Sequence, residues 1–362
     1  MERIGVGIIG SQFAAELHAE ALGRLRDVEL AAVASPTESH VREFAERHHV
    51  AHWFTDYRDL LAMDAVDMVI LTLPNYLHAQ ACVDAAAAGK HVVCEKPLCL
   101  NLEEADRMIE PCRVGGVKLM YAETLAFTPK YRRAKELADV GALGKLHLIK
   151  QAEKHDGPHS PWFWDVDLSG GGATFDLGCH GIEYCRYVMN KEPVTSVYAH
   201  MNQFMHSART EGDDHALIAI EFVSGAIGVI EASWCHPGGM DDRVELHGNA
   251  GSTYADLLHG NALTTFSTAG YEYAVEKAAG TKGWTFPVYD EIGVYGFPEE
   301  DRHFVGCVRE GLDPIENGED GKAVLEIVMA AYESARTGRK VKLPFRPKVK
   351  KPIDLWQASA AQ

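Results

Sequence analysis

The amino-acid sequence predicts an α/β plus α+β chain, with an N-terminal doubly wound parallel sheet and a C-terminal mainly antiparallel open sheet covered by helices. Three observations predict it. In the first third, short apolar runs alternate with helical patterns, the rhythm of parallel strands joined by crossover helices. From about residue 146 strand-like runs follow one another without intervening helices, several with period-two alternation. Residues 320–337 (DGKAVLEIVMAAYESART) form a long amphipathic helical pattern able to cover that second sheet. At 362 residues the chain is long for one core. The expected division is 1–125, 126–345 and an extended tail at 346–362, rich in Pro and Lys near its start.

The elements follow in order. Ile4, Val6, Ile8 and Ile9 make the first strand, so the G-x-G-x-x-G spelled by Gly5, Gly7 and Gly10 lies mostly within it. Only Gly10 belongs to the turn, which reads Gly10-Ser11-Gln12-Phe13-Ala14-Ala15 with Gln12 at the second glycine position. Residues 28–35 (VELAAVAS) form a second strand, followed by a polar helix near 38–48. Residues 67–73 (DMVILTL) are a buried strand stopped by Pro74-Asn75, and 77–89 an alanine-rich helix ending in glycine. Strands at 91–94 and 117–121 flank a helix near 102–112. In the second part 146–153, 194–201, 215–222 and 226–234 are strands, with a hairpin connection at 222–226.

Composition narrows the function. Lys+Arg 35 against Asp+Glu 52 gives a net charge of −17, which argues against nucleic acid or an anionic membrane as partner. No apolar run approaches membrane-spanning length, and the N-terminus shows no signal pattern. Eight cysteines without C-x-x-C pairs read as reduced thiols, and the expected location is cytoplasmic.

Ligands of open α/β sheets bind beyond the carboxyl ends of the strands. That rule selects Gly10, Gln12, Phe13 and Ala14 after the first strand, and Ser35-Pro36 after the second. A neutral hydroxyl there admits either NAD or NADP, with NAD favoured, while His40 and Arg42 read as solvated. The next strand ends supply Thr72, Leu73, Pro74, Asn75 and His78, then Glu95, Lys96 and Pro97. Lys96 would bring a cation to the sheet edge, where it can stabilise a developing alkoxide. A lone Glu-Lys dipeptide is otherwise most often a surface pair.

Through P-N-x-x-H at 74–78, E-K-P at 95–97 and GGGATFDLGCH at 170–180, the chain resembles the Gfo/Idh/MocA oxidoreductases. The resemblance spans roughly residues 4–345 and implies an N-terminal Rossmann domain. It also implies that Lys96, Asp176 and His180 form the catalytic group. From the residues alone, Asp176 and His180 at spacing four share a helix face if Asp176 begins a helix. His180 then suits a general base, and Asp176 holds a substrate hydroxyl or orients the imidazole. The alternative is an N-cap aspartate with a packed histidine. Glu123 stands near the place where family members often carry a nicotinamide-contacting asparagine, so it is a candidate for cofactor, substrate or Lys96.

The stretch 153–164 (EKHDGPHSPWFW) reads as a loop whose His155, Trp162 and Trp164 suit a sugar, with loop anchoring as the alternative. A metal set from His155, His159, Asp176 and His180 is disfavoured by Gly157-Pro158, and no metal is expected. Asp213-Asp214 and Asp241-Asp242 read as loops or solvated faces, and His48, His49 and His52 as solvated. The expected activity is hydride transfer between nicotinamide and a secondary alcohol of a sugar, cyclitol or glycoside. One rival is transient oxidation on a retained cofactor, serving glycoside cleavage or elimination. Another is a non-catalytic NAD(P)- or sugar-binding protein. Self-association as a dimer or tetramer is expected.

Overall fold

A computed structural model describes residues 3–258, 265–269, 280–285 and 290–357. The chain divides into two compact units, 1–127 with 296–325, and 128–295 with 326–362.

The first unit alternates strand and helix: β1 (Ile4–Ile9), α1 (Phe13–Leu22), β2 (Val28–Ala34), α2 (Glu38–Arg47), β3 (His52–Phe54), α3 (Tyr57–Leu61), β4 (Met68–Leu71), α4 (Asn75–Ala87), β5 (His91–Glu95), α5 (Leu102–Gly115) and β6 (Leu119–Ala122). Its six strands lie in the order β3-β2-β1-β4-β5-β6, every pair parallel. The order reverses between β1 and β4, which places a crevice at their carboxyl ends. Met68, Val69, Ile70 and Leu71 are fully buried, as expected for a strand covered on both faces. The α4 helix starts at Asn75, two residues before the expected start, because Pro74 supplies its N-cap in a non-helical conformation.

The second unit begins with α6 (Pro129–Asp139), β7 (Leu146–Lys154), α7 (Val166–Ser169), α8 (Ala173–Asp176) and α9 (Gly178–Val188). Next come β8 (Val194–Asn202), β9 (His215–Phe222), β10 (Ile227–Ser233), β11 (Asp241–Gly248) and β12 (Ser252–Asp256). A two-stranded ribbon, β13 (Thr265–Ser267) with β14 (Gly283–Thr285), precedes α10 (Glu291–Tyr295). In the remaining chain, α11 (Phe297–Glu310) belongs to the first unit and α12 (Gly318–Thr337) straddles the division. The second unit closes with β15 (Val341–Lys342) and α13 (Ile353–Gln357).

Seven strands run β12-β11-β7-β10-β9-β8-β15, antiparallel except for the β7–β10 pair. The expected hairpin joins β9 to β10, with Gly225 at φ +86 where a left-handed turn residue is needed. Helix α9 lies on this sheet because its contact face is small. A Cβ on Gly181 would sit 2.3 Å from Gln151 Oε1 and 2.6 Å from Ile230. The segment after Lys342 is not wholly extended: α13 forms there, Ile353 is fully buried, and its N–H reaches the Gly170 carbonyl at 3.1 Å.

Candidate active site

In the first unit, the residues expected at the cofactor lie at or just beyond the carboxyl ends of β1, β2, β4, β5 and β6. Gly10 adopts φ +126, and a Cβ there would lie 2.2 Å from Thr72 Oγ1 and 2.5 Å from the Thr72 carbonyl. No other residue suits this turn. Gln12 is the N-cap of α1, yet its side chain does not cap the helix; its Nε2 lies 3.3 Å from His40 Nδ1. The buried Ser11 Oγ has no hydrogen-bond partner among the described residues. A glycine-only turn, a helix start without a side-chain cap and an orphaned hydroxyl fit a dinucleotide pyrophosphate.

At the next strand ends, Ser35 gives its N–H to the Phe54 carbonyl at 3.0 Å. Arg42 is exposed, as expected, and lies 5.8 Å over the Trp53 ring and 3.8 Å from Glu38. His78 is buried, with Nε2 2.8 Å from the Leu73 carbonyl and Nδ1 3.1 Å from that of Pro97. It thereby ties the segment after β4 to the one after β5. Burial lowers its pKa against the pull of those carbonyls. Lys96 is half-buried at the end of β5, and its main-chain N–H donates to Glu95 Oε2 at 3.0 Å. Glu123 is buried and accepts the Leu125 N–H at 3.4 Å, capping the turn at Thr124–Ala126.

In the second unit, Asp176 does not begin a helix. It is the last residue of α8, Leu177 breaks the run, and His180 stands in the first turn of α9. Nor is Asp176 an N-cap: its Oδ2 accepts the indole N–H of Trp234 at 3.0 Å. Beneath α9, adjacent strands set Asp242 opposite Glu153 and Val244 opposite Gln151. Tyr131 donates its hydroxyl to Asp242 Oδ1 at 2.6 Å, and Gln151 Nε2 lies 3.4 Å from the same oxygen. Burial pushes the Asp242 carboxyl well up, and Glu153 adds to the effect; the Tyr131 hydrogen bond and the charge of His180 oppose it. His180 therefore sits within electrostatic reach of a buried acidic floor.

The expectation of loops or solvated faces holds at Asp213-Asp214 only as a loop before β9, since both are buried, and it fails at Asp241-Asp242, which open β11. Asp213 and Asp214 are 0% exposed and Asp242 1%, while half-buried Asp241 pairs with Lys154 at 2.9 Å. Asp213 organises the triglycine segment. Its Oδ2 accepts from Thr174 N at 2.8 Å and Thr174 Oγ1 at 2.7 Å, and its Oδ1 accepts from the Tyr332 hydroxyl at 2.7 Å. That hydroxyl in turn accepts the Gly172 N–H at 3.1 Å. A Cβ on Gly172 would fall 1.9 Å from the Asp213 carbonyl, so the close approach requires glycine. Asp214 accepts the N–H groups of Phe204, Met205 and His206; burial opposes them, but together they hold its pKa down.

Trp164 packs 5.3 Å from Trp234 and 5.0 Å from His206, with Arg209 3.9 Å above it, the contacts of a loop anchor. Trp162 stacks on Phe163 at 3.9 Å and stays half-buried. His155 is buried with the His159 ring 4.9 Å away. Half-buried His48 pairs with Glu16 at 2.5 Å and is not simply solvated.

Sequence reasoning missed His18, Gln151, Glu153, Asp213, Trp234, Asp242, Asp301 and Tyr332. Period-two parity in β7 does place Gln151 and Glu153 on the face of buried Ile149, a signal that marks two of them. The same parity in β11 sets Asp242 on the face of buried Val244 and Leu246, and helical spacing in α1 sets His18 on the face of buried Ala15, Ala19 and Leu22.

Residues 4–123 match the family model described as "Oxidoreductase family, NAD-binding Rossmann fold", and residues 131–254 match the "GFO/IDH/MocA C-terminal domain". The chain is 30% identical to the myo-inositol 2-dehydrogenase of Thermotoga maritima, over 93% of this chain and 98% of that protein. It is 31% identical to the scyllo-inositol 2-dehydrogenase (NAD(+)) of Bacillus subtilis, over 95% and 96% respectively. Among solved structures, GenD2 from gentamicin A biosynthesis in complex with NAD matches at TM-score 0.90 and 34% identity, over 95% of this chain and 97% of that one. With both halves matched by its models and relatives aligned along nearly the whole length, the chain belongs to the Gfo/Idh/MocA family of oxidoreductases.

Proposed function

We propose that this protein is a nicotinamide-dependent dehydrogenase that oxidises a secondary alcohol of a sugar, cyclitol or glycoside. The observation that carries the reading is the placement of Asp176 and His180. Trp234 orients the first by a hydrogen bond, and the second borders the buried Glu153–Asp242 floor. Such a wall offers a base and fixed polar groups to a polyhydroxylated ring.

Gly10, Gln12, Phe13 and Ala14 would hold the dinucleotide pyrophosphate, Ser35 and Pro36 the adenosine ribose, and Thr72 to Asn75 with Glu95, Lys96 and Pro97 the remainder. When bound, the nicotinamide supplies the hydride acceptor or donor. His180 would take the hydroxyl proton, Lys96 would stabilise developing negative charge, and Asp176 would hold a ring hydroxyl. NAD is favoured over NADP on the neutral Ser35-Pro36 end of β2, where no arginine directly adjoins in sequence. The NAD named in the scyllo-inositol relative and in the GenD2 complex agrees with that preference. Exposed Tyr198, Leu217 and Ile227 on the second sheet support self-association as a dimer or tetramer, and eight free cysteines support a cytoplasmic setting.

The test is a sugar and cyclitol panel with NAD and NADP run separately, monitored for reduced nicotinamide. Wild type should reduce NAD with at least one polyol. Lys96→Met and His180→Ala should each lower turnover by about 10²-fold or more. Near-normal turnover in both variants overturns the role assignment. Product without accumulating reduced cofactor would instead establish transient oxidation on a retained cofactor.

A further inference from the structure

His18 of α1 has no part in the assignment above, yet it is one of the most constrained polar side chains of the first unit. It is 0% exposed. Its Nδ1 lies 2.9 Å from Asp301 Oδ1 on α11, and its Nε2 lies 3.2 Å from Glu95 Oε1 at the end of β5. Phe297 closes one side, edge-on at 5.2 Å. A neutral imidazole donates through one nitrogen only, so two ionised carboxylates at its two ends require both nitrogens to carry protons. The second oxygen of Glu95 accepts the main-chain N–H of Lys96. A single line of polar contacts thus runs from Asp301 through His18 and Glu95 to the Lys96 backbone.

We propose that His18 is a positioning residue for Lys96, held as an imidazolium between Asp301 and Glu95 so that the Glu95 carboxylate fixes the lysine's backbone at the sheet edge. The proposal rests on the reading of Lys96 as a group that acts at the reacting alcohol.

The surroundings support the charged form. Burial alone would lower the His18 pKa, but Asp301 and Glu95 outweigh it and hold it well above 6.5. Glu95 is held below its usual range by His18 and Lys96 despite its burial. The remaining acid facing this ring, Glu300 on α11, is pushed well up by burial and faces the Thr124 hydroxyl at 3.3 Å. Asp301 is raised by burial, with His18 opposing. Its Oδ2 has no hydrogen-bond partner among the described residues, so the imidazolium is the principal group stabilising its charge. His18, Glu300 and Asp301 also lie close enough together to resemble a metal-ligand set. Both His18 nitrogens already face carboxylates, however, and the imidazolium provides the cation that such a cluster needs.

The test uses the full-length protein with NAD and the polyol that it oxidises. In wild type, ¹⁵N NMR of the imidazole should show both His18 nitrogens protonated at pH 8; a neutral ring there overturns the proposal without needing any variant. His18→Gln should lower kcat by up to about a hundredfold while leaving the NAD dissociation constant within about threefold, since a small misplacement of a reacting group carries that scale of effect. Asp301→Asn, which keeps shape, should move the alkaline fall in kcat to lower pH as His18 loses its charge sooner. A purely structural role would lower thermal stability and leave kcat per folded enzyme and its pH profile unmoved, and that outcome also overturns the proposal. Lys96→Met is run in parallel. If it retains turnover, the reading of Lys96 fails, while the NMR result still reports separately on His18.

Discussion

Trp234 and Asp176 are joined by a single hydrogen bond, indole Nε1 to carboxylate Oδ2 at 3.0 Å, between the residue that follows β10 and the end of α8. Both are buried. The bond orients the Asp176 carboxylate toward the strand side of the second unit, at the point where α8 ends before Leu177.

Trp234→Phe keeps an aromatic ring in the core but removes the donor. A hydrogen bond to a charged group contributes about 1.5–3 kcal/mol. Catalytic efficiency toward the polyol should therefore fall about tenfold or more, with NAD affinity unchanged. Steady-state kinetics paired with an NAD titration check this. An unaltered kcat/KM would show that Asp176 is oriented by other means.

Gly10→Ala places a side chain where φ is +126 and Thr72 already occupies the space. The strain should lower unfolding free energy by about 1–3 kcal/mol. It should also weaken NAD binding by about tenfold or more, because the turn must open to relieve it. Urea denaturation and a fluorescence titration read the two effects, and normal affinity would separate this turn from the dinucleotide.

Stability should depend on alkaline pH through His18. Its folded-state pKa stands above the ordinary 6.5, raised by Asp301 and Glu95 against burial. A group so raised contributes stability that is fully present below about pH 6.5 and is lost as pH climbs through the folded-state value. Urea unfolding across this window should show wild type losing more stability than His18→Gln as pH rises. Parallel curves for the two proteins would count against the buried imidazolium.

Much of this architecture was legible along the chain. The parallel sheet followed from β-rich runs alternating with crossover helices, and Pro74-Asn75 and Glu95-Lys96-Pro97 stand at strand ends as expected. The G-x-G-x-x-G letters at Gly5, Gly7 and Gly10 divide between strand and turn as expected, since β1 runs to Ile9 and of the three only Gly10 has a positive φ. Spacing misled at Asp176–His180, where four residues did not mean one helical turn, because the chain breaks at Leu177. It misled again at Asp213 and Asp242. A paired aspartate resembles a solvated one until its partners are known.

The sequence by itself determined the two folds and placed Pro74-Asn75 and Glu95-Lys96-Pro97 at the carboxyl edge of the first sheet. These follow from local periodicity, turn residues and short motifs. The tertiary structure alone decided the burial of Asp213 against Tyr332, the pairing of Asp242 with Tyr131 and the charge line from Asp301 through His18 to Glu95. Those pairs lie 119, 111 and up to 283 residues apart along the chain. Whether a carboxylate is solvated or ionised within a core depends on which distant donors reach it, and no local pattern specifies that approach.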